Sequence, residues 1–543
     1  MIKSYVKMIK SEFKGYNTNL FGKDVLAGIT VAAVALPLAL AFGVSSGATA
    51  AAGLVTAILA GLIIGGLSGG SYQISGPTGA MSAILISLVA QFGLQGVFIA
   101  CFMSGIILLI AGILKLGNLV SYIPMPVITG FTSGIAIIIA IGQIGNLTGL
   151  KSEGENIVVK IVSYFTNSQQ INITALVIGL SVILFMFLYP KKLAKYCPSS
   201  LLAIILVTVA NGIFKFNVAA VGEIPKSLFL SDRLSLSSIN LDSVRSLIAP
   251  AISIAALGLI ESLLCGASAG RMKNEKLNSG IELVGQGIGN MIIPLFGGVP
   301  ATAAIARTSV AIKSGCHTRL TSLIHSVVLL LSMFILAPIM STIPLSALAG
   351  VLIVTAWRMN EWESIKTIHI GKHFTAILQF LITMAATVVF DLTVAIVIGV
   401  VVSIISFVIK ISDMQISICE VDETKLNGAF CQGHERTDVV YITGPLYFGT
   451  SNKLEEKLSC TSYKDSIIFS MRGVPFADLS GVQVLEELCK KLKAENTEIY
   501  FSSVQPKVME MFRRCKIVEE IGEENFFWSA DLALDKIAGI QIA

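Results

Sequence analysis

The chain has 543 residues, 54% of them hydrophobic and only 13% charged, with a mean hydropathy of +0.80 and a formal net charge of +5. A water-soluble protein of this length does not carry that composition. Since about 20 apolar residues suffice to cross a bilayer as a helix, the class implied is a polytopic α-helical membrane protein, whose first partner is the lipid itself.

Residues 1–23, MIKSYVKMIKSEFKGYNTNLFGK, carry Lys3, Lys7, Lys10, Lys14 and Lys23. They lack the apolar core and cleavage site of a signal peptide. Lysines beside a first span place this segment in the cytoplasm; a solvated basic tail gives the same orientation. Apolar blocks then fall at roughly 24–44, 47–67, 74–91, 95–114, 122–147, 172–189, 199–214, 244–264, 280–296, 302–313, 319–337, 344–357, 373–390 and 391–409. An even number, about fourteen, returns the C-terminal part to the cytoplasm, with a transmembrane domain over 24–410. The basic loops after blocks 6, 8 and 12 (Lys191, Lys192, Lys195; Arg271, Lys273, Lys276; Arg358, Lys366, Lys372) agree with that. KSEGEN (151–156), of mixed sign, faces outside.

Blocks 3 and 10 are interrupted. Between Val25 and Leu150 the only charge is Lys115, yet block 3 opens on Ser75-Gly76-Pro77-Thr78-Gly79. Block 10 opens on Gly297-Gly298-Val299-Pro300-Ala301-Thr302. Each is the third block of a seven-block half (about 24–214 and 244–410), and an odd number of spans per half inverts the halves. Paired Gly/Pro interruptions at matching places in two halves point to a transporter site. Pro77 and Pro300 suit the first turn of a helix. Such helices start in mid-membrane with N–H groups unpaired, which is tolerable only where they line a polar cavity. Two such ends meeting from opposite halves make an anion site. The plainer alternative is two proline kinks packed in a bundle.

Glu261, in APAISIAALGLIESLLCGASAG (249–270), has apolar neighbours on every side. Burying a charged carboxylate there is costly, so Glu261 is read as a cavity-lining proton carrier or as the structural partner of Arg307, two roles that can coexist. Arg307, in PATAAIARTSVAIKSG (300–315), adds positive charge near the two helix starts. Gln286 and Asn290 lie one turn apart on block 9 and read as interhelical hydrogen-bonding groups. Lys313, His317 and Arg319 read as basic flank, and Asp391 as a turn or cap. Nine scattered cysteines without a CxxC pair imply neither a metal site nor a disulfide framework. With no nucleophile–base set either, an enzyme is not expected, nor is a cofactor.

The last ~130 residues change character. After a linker (411–436) with a possible first strand, residues 437–543 alternate strands (439–444, 466–473, 497–503) with amphipathic helices (450–460, 480–496). That suits a small, mostly parallel α/β sheet covered by helices. No complete nucleotide-binding loop is present, so protein-partner binding is the expectation; nucleic acid is not an expected partner. Ser480 is read either as the N-cap of its helix or as a phosphorylation site at a helix start.

Several of these segments together resemble the sulfate permease (SulP) family of anion transporters with a C-terminal STAS domain. They are AGITVAAVALPLALAFGVSSG (27–47), SGPTGAMSAIL (75–85), ELVGQGIGN (282–290), GGVPATAAIARTSVAIKSG (297–315), LIHSVVLLL (323–331) and FADLSG (476–481). PATAAIAR, LAPIMSTIPLSALAG (336–350) and TAWRMNE (355–361) look most like the bacterial branch that includes a C4-dicarboxylic acid uptake transporter, and ALPLALAFG also resembles the bicarbonate-transporting branch. The resemblance implies fourteen spans as a seven-plus-seven inverted repeat. A core (spans 1–4 and 8–11) would move against a gate (5–7 and 12–14) in an elevator-type cycle, commonly as a homodimer. It implies anion contacts at Leu38, Phe42, Ser75, Thr78, Gly79, Ala80, Thr302, Ala303, Ala304 and Arg307. Ser480 stands where related anti-sigma-antagonist proteins are phosphorylated.

Two departures bear on substrate and coupling. Many sulfate-transporting members have Gln where Leu38 follows the span-1 proline, which weakens the case for sulfate. Sodium-coupled bicarbonate members carry Asp and Thr where this chain has Glu261 and Cys265, and a thiol is a poor ligand for a hard cation, so H+ is favoured over Na+. The expected function is secondary active, H+-coupled symport of a small oxyanion or carboxylate (sulfate, a C4-dicarboxylate or bicarbonate) across the inner cell membrane. The alternatives are an uncoupled exchanger or channel of the same family and a nucleobase:proton symporter of the same fold.

Overall fold

A computed structural model describes residues 2–118, 123–150, 161–164, 171–190, 193, 197–235, 237, 240–371, 373–390, 392–421, 437–459 and 465–538. The loop at 151–156, Asp391 and most of the 411–436 linker lie outside the described residues. The chain divides into two compact units at Val401/Val402.

The first unit is helical. A short helix, α1 (Ile2–Glu12), precedes α2 (Thr18–Ser45) and α3 (Ala50–Leu67). An extended pair of residues, β1 (Ser75–Gly76), leads into the long α4 (Gly79–Ile113). Then come α5 (Met125–Thr148), α6 (Ile173–Leu188), α7 (Ser199–Phe214), α8 (Leu241–Lys273) and α9 (Ser279–Ile292). A second extended pair, β2 (Thr302–Ala303), opens α10 (Ile305–Lys313). It is followed by α11 (Leu320–Met340), α12 (Leu345–Met359), α13 (Trp362–Ile370), α14 (Phe374–Val389) and α15 (Leu392–Ile411). Among the described residues seven helices are long and apolar enough to cross a bilayer, and α6, α7 and α14 are shorter apolar helices. Large apolar side chains on α6, α7 and α11 (Leu188, Phe214 and Ile335, for instance) are about 70% exposed, as a lipid-facing surface requires.

Apolar blocks 3 and 4 are two helical segments of α4 that meet at Gly93, whose φ of +66° only glycine adopts without strain. One boundary differs from the reading of the sequence: Pro77 and Pro300 lie upstream of their helices. Thr78 is the N-cap of α4, its hydroxyl accepting from Met81 N at 3.4 Å, and Ala304 is the N-cap of α10. Proline is therefore kept in the extended segments, where a missing N–H costs nothing, while at α4 the Thr78 hydroxyl satisfies one of the helix's orphan donors.

The start of α2 is clamped to the loop before α11. Asp24, fully buried, accepts from the Tyr16 hydroxyl (2.8 Å), His317 N (2.6 Å), Thr318 N (3.1 Å), Thr318 Oγ1 (2.6 Å) and Thr321 Oγ1 (2.9 Å). Burial first, then the bond to Asp24, pushes the Tyr16 hydroxyl up to about 12. Five donors need an acceptor-only carboxylate. Asp24→Asn turns an NH2 toward them and is expected to destabilise the protein by about 2–4 kcal/mol. Tyr16→Phe should cost less than half as much. Thermal unfolding in detergent checks the order; an unshifted midpoint for Asp24→Asn refutes it. Arg319, read as basic flank, is instead buried. Its side chain and that of Glu12 are each 5% exposed and pair at 2.8 Å.

The second unit has a five-stranded sheet: β3 (Gln415–Glu420), β4 (Thr437–Thr443), β5 (Ser466–Gly473), β6 (Glu498–Ser502) and β7 (Phe526–Phe527), hydrogen-bonded in that order. β3 and β4 are antiparallel and the others parallel. The sheet thus begins within the segment read as linker. Its helices are α16 (Ser451–Ser459), α17 (Leu479–Ala494), α18 (Pro506–Arg514), α19 (Ile517–Ile521) and α20 (Ala530–Ile537). In the core Phe469 stacks on Phe501, and Phe512 meets Phe501 edge-to-face. The N-cap of α17 is Asp478, accepting from Gly481 N at 2.8 Å; Ser480, read as that cap, is exposed in the first turn. Aspartate is an equally good cap, and its other oxygen holds Phe448 N at 3.1 Å.

Candidate functional site

The two interrupted segments meet. β1 and β2 pair antiparallel, Ser75 opposite Ala303 and Gly76 opposite Thr302, so the starts of α4 and α10 converge from segments more than 200 positions apart. Strands of two residues cannot satisfy their own backbone, and side chains from the surrounding helices complete the task. Thr56 on α3 accepts from Val299 N (2.7 Å). Asn290 on α9 brackets Ala301, accepting from its N (2.8 Å) and donating to its carbonyl (2.9 Å). Ser262 on α8 accepts from Ala303 N (3.2 Å), and Thr308 on α10 accepts from Ile74 N (3.1 Å). Gln286 donates to the Ser75 hydroxyl (3.2 Å) and to Glu282 (3.0 Å).

Gln286 and Asn290, read as interhelical hydrogen-bonding groups, instead hold the extended segments that enter α4 and α10. Thr56, Ser262, Glu282 and Thr308 escaped the reading of the sequence; their only signal was a polar residue inside an apolar block. Glu282, fully buried, accepts from the Ser68 hydroxyl (2.6 Å) and Gly69 N (2.9 Å), which holds the chain entering β1.

Glu261 lies at the junction. Thr78 Oγ1 and Thr302 Oγ1 donate to the same carboxylate oxygen at 2.9 and 2.7 Å, and the two hydroxyls are 3.2 Å apart. One hydroxyl comes from the entry to each short helix. Thr78 and Thr302 are buried, whereas Glu261 is half-buried. No ion pair joins Glu261 to Arg307, contrary to the direct pairing weighed from the sequence. The Arg307 Nη2 donates instead to the Pro77 carbonyl, across from α10 to the segment entering α4. Its Nη1, buried, has no hydrogen-bond partner among the described residues.

Close approach explains two glycines. A Cβ on Gly76 would lie 2.4 Å from Arg307 Nη1, so a side chain there would occupy the guanidinium's place. A Cβ on Gly79 would lie 2.4 Å from Ile139 Cδ1 of α5 and 3.1 Å from Phe42 Cε1 of α2. Leu38, Phe42 and Ala80 share one apolar cluster with Ile139. Ser75, Ala303 and Ala304 are buried in the paired segments; the Ser75 hydroxyl is taken by Gln286, and Ala304 N donates to the Ile74 carbonyl (2.9 Å). Cys265, buried on α8, donates to the Thr308 hydroxyl at 3.4 Å.

The arrangement combines two helix N-termini, two hydroxyls and an unpaired buried guanidinium N–H around a carboxylate. The family model described as "Sulfate permease family" matches residues 21–386, and the STAS domain model matches residues 431–533. The chain belongs to the sulfate permease family. It is a multi-pass membrane transporter with a STAS domain, not an enzyme. Among its relatives, the putative sulfate transporter YvdB of Bacillus subtilis is 35% identical over 95% of this chain and 97% of its own length. The bicarbonate transporter BicA of Picosynechococcus is 29% identical over 94% of each. The solved transmembrane domain of a cyanobacterial BicA superposes with a TM-score of 0.65 at 29% identity, covering 72% of this chain and 98% of that one. The murine Solute Carrier 26 family member A9 anion transporter in the inward-facing state superposes with a TM-score of 0.83 over 98% of this chain and 94% of its own; at 18% identity it speaks to fold alone.

Proposed function

We propose that this sulfate permease family member is a secondary active symporter that couples H+ to a small oxyanion or carboxylate, of the class of sulfate, bicarbonate or a C4-dicarboxylate. The observation that carries the reading is the buried, unpaired Arg307 Nη1 beside the converging starts of α4 and α10. A buried donor without a partner is costly, and an anion's oxygen would satisfy it. Thr78 and Thr302 would contribute hydroxyls, Gly79 and Ala80 first-turn N–H groups, Ser75, Ala303 and Ala304 the wall behind them, and Leu38 and Phe42 the apolar side. That YvdB is a putative sulfate transporter and BicA a bicarbonate transporter supports an anion as substrate.

Coupling follows from Glu261. While ionised it accepts both threonine hydroxyls and repels a second negative charge. Once protonated it no longer competes for those donors, and both hydroxyls can turn to the anion. H+ rather than Na+ is favoured because Cys265 is a poor ligand for a hard cation.

The elevator reading places α2–α4 and α8–α11 in a core and α5–α7, α12, α14 and α15 in a gate, fourteen spans in two inverted halves with α4 counted as two spans across Gly93. The contact of Gly79 with Phe42 and Ile139 lies on that boundary. The N-terminus and STAS domain would be cytoplasmic in the inner membrane, the transporter a homodimer, and the STAS domain a docking point for a cytosolic protein. Ser480, exposed at the start of α17, would be its regulatory phosphorylation site.

Uptake of labelled sulfate, bicarbonate, succinate and fumarate into proteoliposomes under imposed pH and Na+ gradients tests this. Accumulation of one of these anions driven by an inward H+ gradient and indifferent to Na+ is expected. A flux that only equilibrates the anion, or one that requires Na+, overturns the coupling. Uptake of a neutral nucleobase instead would overturn the substrate class.

A further inference from the structure

We propose that α1 is an interfacial helix that binds the anionic headgroups of the bilayer leaflet next to it. It anchors to lipid the same structural element that carries Arg319. Five residues, Phe13–Asn17, separate α1 from the membrane-spanning α2, so the helix cannot leave the membrane surface.

The helix has three kinds of surface. Tyr5, Ile9 and Glu12, spaced i, i+4, i+7, face the protein and are partly buried. The Tyr5 hydroxyl donates to the Gly66 carbonyl at 2.6 Å, and its ring lies 5.3 Å from the Arg319 guanidinium. Glu12 accepts from Arg319 N (2.6 Å), Nε (2.9 Å) and Nη2 (2.8 Å), while Arg319 Nη1 donates to the Gly66 carbonyl at 2.7 Å. A buried pair in which two guanidinium N–H groups share one carboxylate oxygen and the backbone N–H takes the other holds position strongly.

Lys3, Lys7 and Lys10 have the same spacing shifted by two positions, which at about 100° per residue is the opposite side of the helix. All three are exposed, and Lys14 follows in the turn. Between the two stripes lie Ile2, 82% exposed, and Val6, 44% exposed. An apolar strip bordered by lysines, on a helix tied to a membrane span, matches the surface of a bilayer. The strip enters the acyl boundary and the lysines reach phosphate. An acidic protein would match the lysines but gives no reason for the bare apolar strip beside them at this depth.

The test is amide hydrogen exchange of the full chain in nanodiscs of phosphatidylcholine alone and of phosphatidylcholine with phosphatidylglycerol. The amides of residues 2–12 are expected to exchange about tenfold more slowly in the anionic discs, with the difference shrinking in high salt. A variant with Lys3, Lys7, Lys10 and Lys14 all changed to Gln keeps helix propensity and every contact to Arg319, and should lose the difference while its spans stay protected. Equal exchange in both discs overturns the proposal, whether α1 is then open or covered by another part of the chain or a second copy. So does a difference that survives in the glutamine variant.

Discussion

Glu261→Gln is expected to abolish pH-driven accumulation of the anion while leaving anion exchange in place. The amide keeps the volume of the side chain and the neutrality of its protonated form, and it is a weaker acceptor than the carboxylate that the Thr78 and Thr302 hydroxyls now reach at 2.9 and 2.7 Å, so both hydroxyls can turn to the anion. What is lost is the ability to change charge. A pH difference of one unit is worth about 1.36 kcal/mol, so one proton carried per monovalent anion supports roughly tenfold accumulation. The variant should reach only equality across the membrane, with counterflow of labelled against unlabelled anion still measurable. Continued accumulation against a gradient by Glu261→Gln would show that the proton binds elsewhere. Loss of counterflow as well would assign Glu261 to holding the site together.

The second large effect is expected at Arg307. Removing a charge-assisted hydrogen bond in a buried site costs about 1.5–3 kcal/mol, which predicts roughly a 10- to 100-fold rise in KM for the anion in Arg307→Ala. The guanidinium also donates to the Pro77 carbonyl, tying the entry of α4 to α10. Lysine keeps the charge but lacks the fork that serves a carbonyl and an anion at once, so Arg307→Lys should recover less than a quarter of the lost affinity in logarithmic terms. Initial uptake rates over a range of anion concentrations measure both variants. A wild-type KM in Arg307→Ala would remove the guanidinium from the substrate path.

Much of the architecture was legible along the chain because its causes are local. Apolar length announces a span wherever a helix must satisfy its own backbone in lipid. The Gly-Pro-Thr-Gly stretch at 76–79 and the Val-Pro-Ala-Thr stretch at 299–302 announced broken helices, since proline and glycine act on their own neighbours. Strand and helix alternation in the STAS domain was legible for the same reason. The helix starts of α4 and α17 were misplaced by about two residues, because cap choice depends on which side chain finds a donor. Thr78 does so for α4 and Asp478 for α17. Helix α1 went unread because its basic stripe looks like a solvated tail until Tyr5 and Glu12 are seen against Gly66 and Arg319.

Local pattern established that this is a membrane-spanning chain with two interrupted helices, an intramembrane acid and base, and an α/β appendage. Only packing decided what those charges touch. From spacing alone Glu261 and Arg307 invite each other as partners, yet one sits under two threonine hydroxyls and the other under the Pro77 carbonyl. The reason is that Ser75–Gly76 and Thr302–Ala303 must complete each other's backbone hydrogen bonds away from water. That pairing sets the distance between the two helix starts, and no pattern of neighbouring residues encodes it.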